Sequence, residues 1–291
     1  MEALIQRMQN LMRCDFHLHT NHSDGSWSPQ ALVSHAAAIG MDVIAITDHD
    51  TVSGIAEAQE ALQSQSKTVA IIPAVEINSI WNDGYGRVRD VHILGYYIDV
   101  NNAALHALFS RQRQARLEQV EEMIGKLQAG GIDVSMTLVQ NLAGSSPIGK
   151  IHVTRAIVEA GGAGDVSEAY SKYYDRHSPF FTQRRSVSPE EAMQAIKDAG
   201  GIASIAHPGA DSIAIDLIED LREKGLDGIE VYHRTHGADE IRTLSDLAAR
   251  LGMLETGGSD CHGPFQEHQS LMGTITLPES VADRLTAFGR N

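Results

Sequence analysis

The chain is poor in cysteine and in basic residues, and it has no long apolar run. Cys14 and Cys261 are its two cysteines in 291 residues, and two isolated cysteines without a ligand spacing are typical of a reduced protein without disulfides. The 23 Lys and Arg residues against 38 Asp and Glu residues give a formal net charge of −15. Because nucleic-acid phosphates are bound by clustered cations, we expect no stable binding of duplex nucleic acid.

Targeting signals are also absent from the sequence. Residues 1–7 are too polar for a signal peptide, and no apolar run reaches the roughly 20 residues that a membrane-spanning helix needs. We therefore expect a cytoplasmic chain without a membrane partner. Its length is enough for one barrel or for two ordinary domains.

Histidines and carboxylates stand at the ends of short apolar runs. His17 and His19 are two positions apart in a predicted strand, so both imidazoles point to the same side. Asp24 lies in a following turn that can bring its carboxylate back toward them. Imidazoles and carboxylates together suit zinc, manganese or iron. These three residues predict a metal site.

The same arrangement repeats along the chain. Further apolar runs carry or end in His49, Glu76, His92, His207, Asp260 and His262. Helical patterns are expected at Pro29 to Gly40, Ser53 to Gln65, Pro189 to Gly200, Ile213 to Gly225 and Ala238 to Gly252. Alternating strands and helices predict parallel strands that close into an α/β barrel. In such barrels the chemistry lies at the C-terminal ends of the strands.

This pattern is interrupted in the middle of the chain. One long helix is expected from Asn101 to Gly130, and further helical patterns without ligand-bearing strands follow it. Residues 101–185 carry a net charge of +2, against −17 for the remainder. We therefore predict a metal-binding barrel of residues 1–100 and 186–291, and an inserted helical cap of residues 101–185. The charge of the cap could orient an anionic substrate, or it could be an ordinary helical surface.

Taken together, the motifs resemble those of the PHP family of metal-dependent phosphoesterases, a branch of the amidohydrolase-like barrels. The motifs that carry the resemblance are Asp15-Phe16-His17-Leu18-His19, Ser23-Asp24-Gly25, Thr47-Asp48-His49-Asp50, Val75-Glu76, His92, Ala206-His207-Pro208-Gly209 and Ser259-Asp260-Cys261-His262. The resemblance implies a distorted (β/α)7 barrel with an inserted domain. The most similar subgroup comprises bacterial enzymes that remove the 3′-phosphate from nucleoside 3′,5′-bisphosphates, and its relatives include 5′→3′ exoribonucleases.

The resemblance also implies two to three divalent metal ions, which would be Mn, Zn or Fe. The first ion would be held by His17, His19, Glu76 and Asp260, the second by Glu76, His92 and His207, and the third by Asp24, His49 and His262. Ligand imidazoles need an acceptor for their second N–H, and Asp15, Asp48 and Asp50 are the candidates. Asp48 and Asp50 could instead cap the next helix. Cys261 is expected to be a buried thiol rather than a ligand.

The implied reaction is hydrolysis of a phosphate ester by a metal-bound hydroxide that attacks phosphorus in line. Asp260 and His207 are the candidate catalytic residues, and Asp260 would orient or deprotonate the attacking water. The leaving-group acid stays open between a metal-bound water and a histidine.

Substrate contacts are expected from the cap and from one barrel loop. Residues 149–155 resemble a basic segment that reaches substrate phosphate in the bisphosphatase-like subgroup, which makes Lys150, His152 and Arg155 candidates, and His236 is a further candidate. The close relatives continue the His-Pro-Gly turn with Arg and an aromatic residue, whereas this chain has Ala210 and Asp211. A phosphate-binding arginine is therefore missing, or Arg234 or the cap supplies it.

Several functions are compatible with these residues. The leading hypothesis is a phosphatase that acts on a small nucleotide, above all a nucleoside 3′,5′-bisphosphate. The second is a phosphodiesterase that trims short RNA with the same metals, and the third is a histidinol phosphate phosphatase. A non-catalytic metal-bound scaffold is a different class, and the complete ligand set argues against it.

Overall fold

The computed structural model describes residues 12–63, 69–85, 88–144, 147–264 and 271–289. Its strands are β1 (Cys14–Leu18), β2 (Val43–Ile46), β3 (Ala70–Asn82), β4 (Val88–Tyr96), β5 (Ile202–Ile205), β6 (Gly228–His233) and β7 (Leu254–Gly258). The helices in the described ranges are α1 (Pro29–Ile39), α2 (Ser53–Leu62), α3 (Ala103–Ala129), α4 (Met136–Ala143), α5 (Lys150–Glu159), α6 (Val166–Tyr173), α7 (Pro189–Asp198), α8 (Ile215–Glu223), α9 (Ala238–Leu251) and α10 (Glu279–Phe288).

The seven strands form one sheet in chain order, from β1 to β7. β1, β2 and β3 are parallel to one another, and so are β5, β6 and β7. The first and last strands meet where Leu18 forms an isolated bridge with Cys261, and the backbone N–H of His19 donates to the Cys261 carbonyl at 3.0 Å. The sheet therefore nearly closes, which confirms the predicted α/β barrel.

β4 departs from the expected parallel order, because it is antiparallel to both of its neighbours. Only five residues separate β3 from β4, which is far too short for the crossover that a parallel connection requires. β4 therefore runs in the opposite direction, and its N-terminal half lies level with the C-terminal ends of the other strands. That reversal decides where His92 is found.

Local signals set the helix ends as expected. The hydroxyl of Ser28 accepts the Ala31 N–H at 3.2 Å, Pro29 opens α1, and Gly40 ends it with a φ of 81°. Ser188 and Glu191 form a reciprocal capping box at the start of α7. Each cap satisfies backbone groups that have no partner inside the helix. The five helices expected in the barrel are all present, with ends within a few residues of the prediction.

The chain divides into two compact units. The first contains the described residues up to His106 and from Val187 onward, and the second is Ala107–Ser186. Side chains of five strands and of α10 share one apolar cluster in the first unit, and Tyr96 donates its hydroxyl to the Phe16 carbonyl there at 3.1 Å.

The second unit has a separate core built from α3 to α6, which includes Leu127, Val153 and Tyr173. The division lies close to the predicted boundaries at 101 and 185, and the long helix expected from Asn101 is present as α3. The role of this unit as a substrate cap stays a prediction. No helix within the described ranges combines the length and the apolar character that crossing a membrane requires.

Candidate metal centre

The expected ligands come together at one end of the barrel. Most stand at or just after the C-terminal ends of parallel strands, whereas Glu76 lies within the long strand β3 and His92 lies on the reversed strand β4. His92 is opposite Asn78 in the β3–β4 ladder, and its carbonyl accepts the Ala206 N–H at 2.9 Å. The reversal of β4 therefore places His92 level with His207.

Glu76 is at the centre of the cluster, and its side chain is only 1% exposed. Its Oε2 lies 3.2 Å from His17 Nε2, 3.2 Å from His19 Nε2 and 3.1 Å from His49 Nδ1. Its Oε1 lies 2.9 Å from His92 Nδ1 and 3.2 Å from His207 Nε2. A carboxylate that presents each oxygen to a different set of imidazoles is suited to bridge two cations.

Asp260 completes the donor set expected for the first ion. Its Oδ1 lies 3.5 Å from His17 Nε2 and 3.2 Å from His19 Nε2. The backbone of Asp260 has a φ of 51° and that of His207 a φ of 26°, a region that non-glycine residues rarely occupy. Such strained residues occur often at functional sites, where the surrounding structure maintains them.

Asp24 gathers the remaining ligands at the more open side of the cluster. Its Oδ1 lies 3.3 Å from His262 Nε2, and its Oδ2 lies 3.7 Å from His49 Nε2. His19 contributes its second nitrogen, with Nδ1 at 3.9 Å from Asp24. Asp24, His49, His262 and His19 thus form a group that could hold a metal ion, and it contains the three residues expected at the third ion.

The donor atoms fit divalent cations in a further respect. Both ring nitrogens of His19 and the Nδ1 atom of His49 are shielded from solvent and meet no partner with hydrogen-bond geometry among the described residues. A buried polar atom left without a partner costs roughly 1–3 kcal/mol. Metal coordination would use these nitrogens, and mixed imidazole and carboxylate donors suit Zn, Mn or Fe.

The carboxylates control the charge of the cluster. Burial lowers the pKa of His17, but Glu230, Glu76 and Asp260 outweigh it and raise the pKa to about 10. Burial raises the pKa of Glu76, but the surrounding histidines hold it well below its usual value. Burial lowers the pKa of His49 to about 3. The metal-free protein therefore has ionised carboxylates at its centre, which attract protons or cations.

Glu230 is the residue that the sequence analysis missed. Its side chain is fully buried, its Oε1 accepts from His17 Nδ1 at 3.0 Å, and its Oε2 accepts the backbone N–H of His207 at 2.7 Å. It therefore orients His17 so that Nε2 faces Glu76. A glutamate inside the apolar run of a predicted buried strand was the available signal, because buried carboxylates need partners.

The expected role of Asp15 and Asp48 as acceptors for ligand imidazoles is wrong. Asp15 accepts the backbone N–H of Ser259 at 2.8 Å and that of Gly273 at 3.1 Å. Asp48 accepts the backbone N–H of Thr20 at 2.7 Å. The short side chains of Asp15 and Asp48 accept from backbone N–H groups instead of from ligand imidazoles. They therefore hold in place the loops that carry the expected ligands.

Asp50 accepts the backbone N–H of Asn78 at 3.1 Å and its side-chain amide at 2.9 Å. Through these contacts it joins the segment after β2 to strand β3. Cys261 is a buried free thiol, as expected.

The candidate substrate residues have different surroundings. His236 is buried, its Nδ1 donates to the Val231 carbonyl at 2.9 Å, and its Nε2 accepts the Gly209 N–H at 3.1 Å. Both ring nitrogens serve the fold, so the expected substrate contact of His236 is corrected to a structural one.

The other three candidates lie in the second unit. His152 is buried, and its Nδ1 accepts the Gly149 N–H at 3.0 Å at the start of α5. Lys150 and Arg155 are exposed. Substrate contacts of these three residues stay predictions.

Comparison with known proteins agrees with the donor set. The family model described as the PHP domain matches residues 15–177, which is more than half of the chain. The chain belongs to the PHP family. It is a metal-dependent phosphoesterase, that is, a hydrolase acting on phosphoric esters.

Three relatives illustrate the range of activities within this similarity. A 3′,5′-nucleoside bisphosphate phosphatase from Chromobacterium violaceum is 33% identical over 91% of this chain and 92% of its own length. The 5′-3′ exoribonuclease Rnm from Escherichia coli is 29% identical over 86% of this chain and 85% of its own length. A phosphoribosyl 1,2-cyclic phosphate 1,2-diphosphodiesterase from Eggerthella lenta is 30% identical over 86% of this chain and 94% of its own length.

Solved structures share the fold over almost the whole chain. A structure from Bifidobacterium adolescentis, assigned as a metal-dependent phosphoesterase, has a TM-score of 0.81 at 29% identity and covers 94% of this chain and 95% of its own. An amidohydrolase structure from Chromobacterium violaceum, with bound sulfate and no metal, has a TM-score of 0.80 at 31% identity, with coverages of 94% and 96%.

Proposed function

We propose that this PHP phosphoesterase hydrolyses a phosphate monoester of a nucleotide, with the 3′-phosphate of a nucleoside 3′,5′-bisphosphate as the leading substrate. The observation that carries the proposal is the convergence of all nine expected ligands in one cluster, with Glu76 at its centre. The similarity to the Chromobacterium violaceum bisphosphate phosphatase over nine-tenths of both chains supports the substrate class.

The proposed cofactors are two to three divalent ions, Mn, Zn or Fe. His17, His19, Glu76 and Asp260 would hold one ion, Glu76, His92 and His207 a second, and Asp24, His49 and His262 a third. Bound ions would neutralise charge that develops on phosphoryl oxygens and make a nucleophile available at neutral pH.

Asp260 has two separate tasks in this proposal. Its Oδ1 faces the imidazoles of His17 and His19, whereas its Oδ2 lies 3.4 Å from Arg234 Nη2 and 3.6 Å from His233 Nε2. Burial raises the pKa of Asp260, but these histidines hold it well below its usual value. In this proposal, Asp260 would orient or deprotonate the attacking water.

Arg234 is the cation that we propose for binding substrate phosphate on the barrel. Its side chain is 40% exposed and contacts the outer oxygen of Asp260, so the guanidinium stands beside the ligand cluster and is open to solvent. Guanidinium groups bind phosphate oxygens through paired hydrogen bonds. Arg234 thereby supplies the charge that Ala210 lacks.

A second candidate function is 5′→3′ trimming of short RNA. In the second unit, the ring of Tyr170 is 49% exposed and stacks on Tyr174 with centroids 5.4 Å apart, and Lys150 Nζ lies 6.0 Å from the Tyr170 centroid. Exposed aromatic rings beside cations are the usual platforms for single-stranded bases. The similarity to the exoribonuclease from Escherichia coli points in the same direction.

A substrate panel tests both candidates. We expect adenosine 3′,5′-bisphosphate to give AMP with a higher kcat/KM than 3′-AMP, 5′-AMP or a 5′-phosphorylated pentaribonucleotide, at metal contents measured on the same samples. Binding energy from the remote phosphate would orient the reacting one. Equal kcat/KM for 3′-AMP and the bisphosphate would refute recognition of the second phosphate. A clear preference for the RNA would replace the phosphatase with the exonuclease.

A further inference from the structure

The turn after β5 carries a carboxylate that the expected ligand set does not include. Asp211 Oδ2 lies 3.0 Å from His207 Nδ1, and the two side chains are 29% and 9% exposed. Burial raises the pKa of Asp211, but its hydrogen bond with His207 holds the pKa below its usual value. Asp211 therefore meets the imidazole of His207 as an ionised carboxylate.

The two ring nitrogens of His207 face different partners. Nδ1 faces Asp211, whereas Nε2 lies 3.2 Å from Glu76 Oε1, on the side where the second ion is proposed. An imidazole that binds a metal through one nitrogen needs an acceptor for the N–H of the other. This division of partners makes Nε2 the ligand atom and Nδ1 the donor to Asp211.

The contact of His17 with Glu230 has the same form. His17 Nδ1 donates to Glu230 at 3.0 Å, and His17 Nε2 faces Glu76 at 3.2 Å. Glu230 belongs to β6, whereas Asp211 follows β5. Two imidazoles on different strands are thus each held between the central Glu76 and an outer carboxylate.

We infer that Asp211 is a positioning residue, which accepts the Nδ1–H of His207 and thereby presents Nε2 to the second ion. The inference rests on the proposed metal centre and adds the group that orients one of its ligands. Asp211 does not itself bind that ion, because it meets the other nitrogen of the ring. Position 211 is also where the sequence resemblance predicts an aromatic residue, so the carboxylate is a departure of this chain.

The turn holds the Asp211 backbone in a defined place. The His207 carbonyl accepts the backbone N–H groups of Ala210 at 2.9 Å and of Asp211 at 3.3 Å. Gly209 donates its N–H to the ring of His236 at 3.1 Å, and Ser212 follows with a φ of 52°. A carboxylate on a fixed backbone loses less freedom when it accepts from a ring, so it can hold that ring precisely.

Mn²⁺ binding to metal-stripped full-length protein tests the inference. Stoichiometry is measured by equilibrium dialysis and free Mn²⁺ by its paramagnetic resonance signal. Asp211→Ala removes the acceptor, and we expect it to lose about 10–100-fold in affinity at one site while the other sites bind normally. Asp211→Asn keeps an acceptor oxygen, so it should lose less. Asp211→Leu keeps the shape without an acceptor and should bind like Asp211→Ala.

The imidazole proton gives a second readout, which a purely structural role would not change. In Zn²⁺-loaded protein with isotope-labelled histidine, NMR should show a slowly exchanging Nδ1–H on His207 in the wild type and in Asp211→Asn. The same proton should exchange rapidly in Asp211→Ala and Asp211→Leu. Asp216→Ala is the matched control, because Asp216 is an exposed carboxylate in the first turn of α8, and it should behave like the wild type in both experiments.

The outcomes separate the possible roles of Asp211. Normal Mn²⁺ affinity in both Asp211→Ala and Asp211→Leu would overturn the inference and leave the proposed function unaffected. Equal losses at every site would also overturn it, since Asp211 would then only support the turn. Absence of Mn²⁺ binding to the wild type would overturn the proposed function and this inference together. Metal-free melting curves establish that each variant is folded.

Discussion

Replacing Glu230 with glutamine tests how the buried carboxylates prepare the ligands. Glutamine preserves the volume of the side chain, but it offers one acceptor oxygen and one NH2 donor instead of two acceptor oxygens. Glu230 accepts from the backbone N–H of His207 at 2.7 Å and from His17 Nδ1 at 3.0 Å. One of these two donors must therefore face the NH2 group.

The backbone N–H of His207 decides the outcome, because it can only donate a hydrogen bond, whereas His17 can carry its proton on either ring nitrogen. The amide oxygen of Gln would keep the His207 N–H, and its NH2 would then face His17 Nδ1. His17 would move its proton to Nε2, the nitrogen that lies 3.2 Å from Glu76. A protonated nitrogen cannot bind a metal, so we expect a loss of roughly 10–100-fold in metal affinity, or about 1.4–2.8 kcal/mol.

Two measurements check this expectation. Metal affinity is determined by chelator competition, and the His17 ring is followed by NMR titration of the metal-free protein. Because Glu230 is the first of the carboxylates that raise the pKa of His17 to about 10, the variant should titrate at lower pH. Glu255→Gln is the matched control, since Glu255 accepts from Tyr232 on β6 and from Ser245 on α9, and neither of these is an expected ligand. Unchanged affinity and an unchanged His17 titration in Glu230→Gln would refute the reasoning.

Three further predictions concern other parts of the first unit. Asp260→Ala should lower kcat by at least ~10², the scale of a lost acid–base group, and near-normal turnover at full metal loading would contradict its assignment. Burial, followed by the charges of Asp42 and Asp15, raises the pKa of the Cys14 thiol to about 12. In a folded Cys261→Ser variant, Cys14 should therefore react with DTNB at pH 8 at least ~10² times more slowly than in the unfolded chain. The stability that the protonated thiol contributes should be lost as the pH rises from about 9 to 12. A Cβ at Gly258 would overlap with the backbone nitrogen of His17, so Gly258→Ala should lower the free energy of unfolding by roughly 1–3 kcal/mol, which denaturant titration can measure.

The convergence of the expected ligands could be predicted because most of these residues follow a local rule. His17 and His19 share a face by their spacing, and His207 and Asp260 end apolar runs whose partners are set by the strand order. Glu230 follows no such rule, because its partner His17 is 213 positions away and is reached only after the barrel closes. The direction of β4 was missed because the apolar alternation of a strand is the same in both directions.

Two of the candidate substrate residues show a different limit. His152 belongs to a basic segment, but one ring nitrogen caps the helix that carries it, a contact that sequence spacing alone does not distinguish from ligand binding. His236 was expected at the substrate because it follows a strand, but its two partners are Val231 on β6 and Gly209 in the turn after β5. A local helix cap uses the nitrogen of His152, whereas contacts between distant segments use both nitrogens of His236.

The junction of the first and last strands gives the cations a mechanical role. Leu18 and Cys261 form a single bridge there, whereas neighbouring strands elsewhere share ladders. His17 and His19 belong to one side of this junction and Asp260 to the other, so the ion that we propose for these three residues would be a reversible crosslink between distant parts of the chain. Crosslinks across long loops restrict the unfolded chain most. On this proposal, chelation of the metal should weaken the contact between the first and last strands, and amide exchange at His19 should accelerate before exchange at the centre of the sheet.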